Sequence, residues 1–354
     1  MKMNFCVGHG AEPDVPLLVD VAKTAEKNGF AYMTLLDSPT KTLDVHFMTT
    51  IAAQNTKKIK LGQGVVDPMT YHPITIASAM GSIDEMSGGR AFIGIGTGLP
   101  QAKGRPAAKL KDMREAVKFI RGYMRGEEVE YGGAKMQSRW LKRPVPIYMS
   151  AHGPKALEVA GEIADGIIFL CINPVYVKWQ LERVAVGAER AGRDPTKLDT
   201  WARCMVYVSP NKRDARRETS AYPISYAGLW RVLTKDSPEA ADLRRRMEKA
   251  EPGIVESIAK ASRAYADVVD PKQGEKLDAP HSKVVTDKLI DFFHFRGKED
   301  DIIEHMNKLS EVGVKTISMT TYTLIDKVGM LKEVGSKIIP HFRPNPMPEA
   351  FKTK

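Results

Sequence analysis

Three cysteines in 354 residues are too few for a disulfide framework. Cys6, Cys171 and Cys204 are odd in number, and none is spaced as CxxC or as a metal-ligand set. They read as buried thiols in a reducing compartment, and no metal site is expected. No stretch approaches the roughly 18 continuous apolar residues that span a bilayer. The opening MKMNFCVGHG lacks the long apolar region and small-residue cleavage site of a signal peptide. A cytoplasmic protein with no membrane partner is the expectation. Internal repeats and low-complexity linkers are also missing. One domain over residues 1–342 follows, with a Pro-rich tail over residues 343–354.

Charge is plentiful. The 53 basic residues exceed the 43 acidic ones, for a net charge of +10. Nucleic acid is the first partner to consider. The basic residues are spread along helical stretches such as Lys212–Arg217 and Arg244–Arg246, with no aromatic-interleaved recognition motif. A solvated helical face accounts for them, and an acidic small molecule could use some of them. No nucleic-acid partner is expected.

Apolar segments alternate with amphipathic ones. Strands are predicted at Met3–Val7, Ala31–Leu36, from Ile59 into Gly62–Val66, and at Arg90–Ile95, Ile147–Ser150, Gly166–Leu170 and Thr200–Val208. Helices are predicted at Val15–Asn28, Val45–Gln54, Ile74–Met86, Met113–Arg125, Pro154–Ile163 and Val175–Ala191. Strand–helix units at this spacing imply a parallel sheet. About six units before residue 210 and more after residue 313 favour eight strands closed into an α/β (β/α)8 TIM barrel. Between about 210 and 290 the rhythm breaks into helices without strands, with Tyr222, Tyr226, Trp230 and Tyr265. This helical insertion belongs near the C-terminal face, where lids and substrate walls are built. Lys298–Val312, Thr316–Thr320 and a last helix to Ile339 resume the rhythm.

Four segments carry candidate chemistry, each with a plainer alternative. Arg90–Gly98 holds a GxGxG run, but it closes a mid-chain strand without the immediate helix and downstream acid of a dinucleotide site. Glycines at a strand end fit the close approach of a flat ring. Ser150-Ala-His-Gly-Pro-Lys155 leaves a strand and opens a helix, which makes an anion site or an ordinary turn. Gly62–Pro68 reads as a bulge under a ligand or as a simple loop. Asp37 closes the second strand and is either functional or a helix cap.

Together these segments resemble the luciferase-like flavin and deazaflavin oxidoreductases. The likeness is greatest to the coenzyme F420-dependent methylenetetrahydromethanopterin reductases and spans about residues 1–205 and 296–342. It rests on Gly62-x-Gly64-Val65, His72-Pro73, Ala77, Asp84, Ser87-Gly-Gly-Arg90 and Gly94-Ile-Gly-Thr-Gly98. A second element is Ala151-His-Gly-Pro154 with Ala160-Gly161 and Ala164-Asp-Gly166. The resemblance implies a cofactor, F420 or alternatively FMN, lying across the strand ends. Its ring would rest on a bulge with a non-prolyl cis peptide at Gly64–Val65. Further contacts are implied at Asp37, Asp67, Thr97 and Gly98, with the phosphate on His152, Gly153, Lys155 and Ala156. A homodimer is also implied.

Two positions depart from that pattern. Ser38 stands where many F420-dependent relatives carry His, and Leu99 where sugar-phosphate dehydrogenases carry Glu. Oxidation of a sugar hydroxyl needs a base near the reacting carbon, so that reaction is disfavoured. His9 at the end of strand one is the expected replacement acid/base, ahead of His46 and the Cys6 thiol. The activity expected is hydride transfer between a deazaflavin and an unsaturated small-molecule acceptor. An FMN-dependent monooxygenase and a non-catalytic flavin-binding protein are the alternatives.

Overall fold

Why the strands close into a ring follows from what their two faces carry. The structure is a computed structural model that describes residues 1–10, 13–98, 106–220, 224–266, 280–322 and 324–351. Eight strands form it: β1 (Asn4–His9), β2 (Tyr32–Leu35), β3 (Lys60–Gln63), β4 (Ala91–Ile95), β5 (Ile147–Ser150), β6 (Gly166–Leu170), β7 (Asp199–Cys204) and β8 (Thr316–Thr320). They close in the order β1-β8-β7-β6-β5-β4-β3-β2, every pair parallel. Side chains alternate across each strand. Phe5, Val7, Met33, Leu35, Leu61, Ile93, Ile147, Met149, Ile167 and Ile317 face the helices and join the main core. Cys6, Tyr32, Phe92, Tyr148, Ile168 and Trp201 face inward and pack as a separate plug. Both faces are thus apolar, as a parallel sheet covered on both sides requires.

The helices are α1 (Val15–Lys27), α2 (Val45–Gln54), α3 (Pro73–Ser87), α4 (Leu110–Met124), α5 (Pro154–Ile163) and α6 (Pro174–Arg190). Side chains of Asp14, Asp44, His72 and Asn173 cap α1, α2, α3 and α6. Leu18, Val21, Ala22 and Ala25 form the buried stripe of α1 at helical spacing. Helices α5 and α6 touch closely, because a Cβ on Gly187 would sit 1.8 Å from the Glu158 carbonyl oxygen and one on Gly161 2.1 Å from that of Val184. Part of the Ala160-Gly161 motif is therefore scaffold. So is Arg90, whose buried guanidinium donates to the carbonyls of Ser87, Ala53, Thr56 and Ile59.

Seven barrel strands precede residue 210 and one follows, each at a segment the sequence predicts as a strand. The long predicted strand Thr200–Val208 is broken at Met205, whose N–H donates to His294 Nδ1 at 3.2 Å. Beyond the break, Val206–Val208 pairs in parallel with Phe295–Gly297, a strand that patterning does not reveal. This pair clamps the two ends of the insertion. The insertion contributes α7 (Lys212–Ser220), α8 (Ile224–Leu233), α9 (Pro238–Ala250), α10 (Ile254–Ala266) and α11 (Asp287–Phe293). Its 267–279 stretch lies outside the described residues, as do Tyr222 and Leu99. Then come α12 (Glu299–Glu311) and α13 (Lys327–Lys337). A hairpin of Val129–Tyr131 and Ala134–Met136 also escapes the strand reading. Gly132 and Gly133, both at positive φ, turn it, which is the glycine pair such a hairpin demands.

The Pro-rich tail does more than end the chain. Asn345 exchanges hydrogen bonds with Asn4 at the bottom of the barrel. Met347 and Phe351 pack against the inward plug. The Phe351 ring lies 6.0 Å from Tyr32 and 6.3 Å from Phe92, with Lys60 Nζ 4.8 Å above its centre. This end is therefore shut, and the C-terminal end of the strands is where a ligand can enter.

Candidate active site at the barrel mouth

The register between β3 and β4 creates the floor of the mouth. Gly62 pairs with Phe92, and the next bridge joins Val66 to Ile95. Strand β3 thus advances four residues while β4 advances three, which is a bulge. The extra residue lies at Gly64–Val65, and that peptide is cis. Its backbone is anchored on each side. The Gly64 N–H donates to the Leu35 carbonyl at 2.7 Å, and the Val66 N–H to that of Gly94 at 3.0 Å.

Glycine is required around this bulge by close approach. A Cβ on Gly94 would fall 2.0 Å from the Gln63 carbonyl oxygen, and one on Gly96 would fall 2.8 Å from Val65 Cγ2. Gly98 has φ +82, and a Cβ there would meet Asp67 Cγ at 2.9 Å. The GxGxG run is thus a smooth wall beside the bulge rather than a phosphate loop. Thr97 and Gly98 are half-buried at its rim, as is Val65 at the tip of the bulge. Buried Asp67 holds its own turn, accepting the N–H groups of Met69 and Thr70 at 3.0 and 2.8 Å and the Thr70 hydroxyl at 3.0 Å.

Asp37 closes β2 and is buried. The Tyr71 hydroxyl lies 3.1 Å from Asp37 Oδ1 and 3.3 Å from Asp44 Oδ2, so its single proton serves one carboxylate at a time. Burial, and then the charges of Asp37 and Asp44, raise the phenol's pKa and keep it protonated. His46 stands edge-on to the Tyr71 ring at 5.0 Å, and burial lowers its pKa against the pull of Asp44 and Asp37. Tyr71 was not legible as a site residue; its place just before the His72-Pro73 helix start is the only signal. Ser38 begins a turn, its carbonyl accepting the N–H groups of Lys41 and Thr42.

The segment expected to bind an anion stands at the start of α5. Gly153 is the N-cap and offers no side chain to the free N–H groups, and Pro154 occupies the first turn. A Cβ on Gly153 would meet nothing within 4 Å. His152 and Ala156 are half-buried and Lys155 is exposed. Free N–H groups and the helix dipole at such a start favour a phosphate, with the Lys155 ammonium beside it. Burial, then the charges of Arg203 and Arg231, push the His152 pKa down to about 4, so its ring is neutral at pH 7. Arg231 belongs to α8, which places the insertion beside the mouth.

Asp37, the bulge with Asp67, Thr97–Gly98 and His152–Ala156 therefore follow β2, β3, β4 and β5, four strands adjacent in the ring. His9 does not join them, and this corrects its expected place in the mouth. It continues the outward series of Phe5 and Val7, whereas Cys6 and Gly8 face inward. Its Nδ1 lies 3.3 Å from Thr321 Oγ1. Burial, then Lys327, lower its pKa to about 4, so its ring is uncharged at neutral pH. Cys6 faces inward but is deeply buried, and burial pushes its thiol up to about 11. Two inward residues went unread. Arg203 on β7 reaches the bulge from the opposite wall, and Tyr322 follows β8. An arginine in an apolar strand was the available signal for the first.

The luciferase-like monooxygenase family profile matches residues 3–316. The chain is 33% identical over 348 residues to the 5,10-methylenetetrahydromethanopterin reductase of Methanolobus tindarius, covering 95% of this chain and all of that one. It is 32% identical over 330 residues to the enzyme of the same name from Archaeoglobus fulgidus, covering 91% and 94%. Among solved structures, the coenzyme F420-dependent tetrahydromethanopterin reductase of Methanopyrus kandleri superposes with a TM-score of 0.79 at 25% identity, covering 97% of this chain and all of that one. With its closed barrel, its bulge and its open helix start, the chain belongs to the luciferase-like monooxygenase family of oxidoreductases.

Proposed function

We propose that this protein is a coenzyme F420-dependent reductase that passes a hydride to an unsaturated small-molecule acceptor, a C=N, C=C or C=O group. The observation that carries the reading is one arc of the mouth. It joins a glycine-walled bulge to an uncapped helix start, in a chain matched over more than nine-tenths of its length by proteins named as reductases, one of them coenzyme F420-dependent.

The residues present fit the group. The N–H groups at Gly153, Lys155 and Ala156 and the Lys155 ammonium would hold its phosphate. Gly94, Gly96 and Val65 leave a smooth slot for a flat ring, and Thr97 and Asp37 border it. When bound, the reduced deazaflavin supplies the hydride from its C5 carbon. The protein's part is to hold donor and acceptor face to face and to keep water out. The insertion, through α8, walls the acceptor side; a Cβ on Gly228 would lie 4.0 Å from Leu170 Cδ1 at the end of β6. His152, neutral at pH 7 and within electrostatic reach of Arg203 and Arg231, can donate or accept a hydrogen bond there.

Fluorescence titration of the purified protein with F420 and with FMN tests this. Micromolar binding of F420 and none of FMN is expected. Binding of FMN alone would replace the reading with a flavin monooxygenase, and binding of neither would end it.

A further inference from the structure

We propose that Arg203 is the counter-ion of the bound cofactor ring, holding that ring in its ionised, anionic form. The inference rests on the reading of the mouth as a deazaflavin site.

Arg203 projects inward from β7 and crosses the barrel to the opposite strands. Its Nη1 donates to the Gly64 carbonyl at 2.9 Å, and its Nη2 to Thr34 Oγ1 at 3.1 Å. It is only 7% exposed, and its buried Nε has no hydrogen-bond partner. Among the described residues no carboxylate pairs with it. Among the described residues, the titratable groups coupled to its charge are Cys6, Cys204, Tyr322 and His152. Burial keeps both thiols and the phenol protonated and the imidazole neutral, so none supplies a negative charge. Among the described residues, the titratable groups coupled to this positive charge at the floor of the mouth are thus neutral, and the carboxylates of Asp37 and Asp67 stand on the β2 and β3 side with partners of their own.

A buried, unpaired charge is costly unless something answers it. Propping the bulge does not explain the charge, since a neutral amide could donate to the same Gly64 carbonyl. The guanidinium touches the very peptide on which a flat ring would lie. A ring there is one layer of atoms from the charge, whereas an acceptor beyond the ring is screened by it. A hydroxydeazaflavin can lose a proton and spread the negative charge over its conjugated ring. A cation beside the ring favours that form, just as an arginine lowers the pKa of a neighbouring acid by about one to three units.

The test is a pH titration of the absorbance of F420, free and bound to wild type, Arg203→Lys and Arg203→Gln. On wild type the ring's apparent pKa should fall by about one unit or more below the free value. Arg203→Lys should keep most of that shift, and Arg203→Gln should abolish it while F420 stays bound through the phosphate cradle. An unshifted ring on wild type overturns the proposal, and this holds even if a variant fails to fold. Equal shifts in wild type and Arg203→Gln also overturn it, leaving Arg203 as a prop for the bulge. Absence of F420 binding to wild type is a different failure, that of the cofactor reading itself.

Discussion

The guanidinium of Arg203 spans the barrel from β7 and donates to the carbonyl of Gly64 at 2.9 Å, tying the bulge to the wall opposite it. Strands β3 and β7 are four places apart in a ring of eight, so the bond is a cross-beam under the mouth. The inward aromatic plug of Tyr32, Phe92, Tyr148 and Trp201 fills the barrel below it. The mouth is therefore shallow, with a polar beam for a floor and glycine on one wall.

Two glycines of the site should respond in opposite ways. Gly94→Ala drives a Cβ to 2.0 Å from the Gln63 carbonyl oxygen, a backbone atom, and should cost about 3 kcal/mol in urea denaturation. Gly153→Asp has open space and adds a good N-cap, so stability should hold or rise by about 0.5 kcal/mol. Its carboxylate would occupy the anion cradle, and F420 affinity should fall at least about tenfold. A folded Gly153→Asp protein with unchanged affinity would move the phosphate elsewhere.

His9 should govern acid stability rather than turnover. Its folded pKa of about 4 lies below the ordinary 6.5, so its stabilisation is present above pH 6.5 and is lost as pH falls through about 4. His9→Gln should therefore gain on wild type by about 2 kcal/mol between pH 7 and pH 4.5, read from urea midpoints at both. Hydride transfer at pH 7 should stay within a few-fold of wild type. Loss of turnover in a variant of normal stability would return His9 to the reaction.

The tail should matter for stability alone. Phe351→Ala removes a half-buried ring from Tyr32, Phe92 and the Lys60 ammonium. A loss of about 1–2 kcal/mol is expected in thermal unfolding, below the cost of truncating a fully buried Phe. Cofactor affinity should not change, because the ring sits at the end of the barrel away from the mouth.

Much of the fold was legible because barrel strands announce themselves locally. Ile147–Ser150, Gly166–Leu170 and Thr316–Thr320 are apolar runs between turn signals, and the strands match them residue for residue. The Val206–Val208 and Phe295–Gly297 pair was not, since each is three residues long and its partner lies some ninety residues away.

The chain by itself determined the eight barrel strands, the glycines at Gly64 and Gly94–Gly98, and the helix start at Gly153. Each is a local requirement of backbone space or dipole. Tertiary structure alone decided which side of a strand meets the ligand. A strand's period of two put His9 outside and Arg203 inside, and no local signal fixes that choice for a polar residue at a strand end. Closure of the ring then brought Arg203 to Gly64 across 139 positions of sequence, and shut the far end with Phe351.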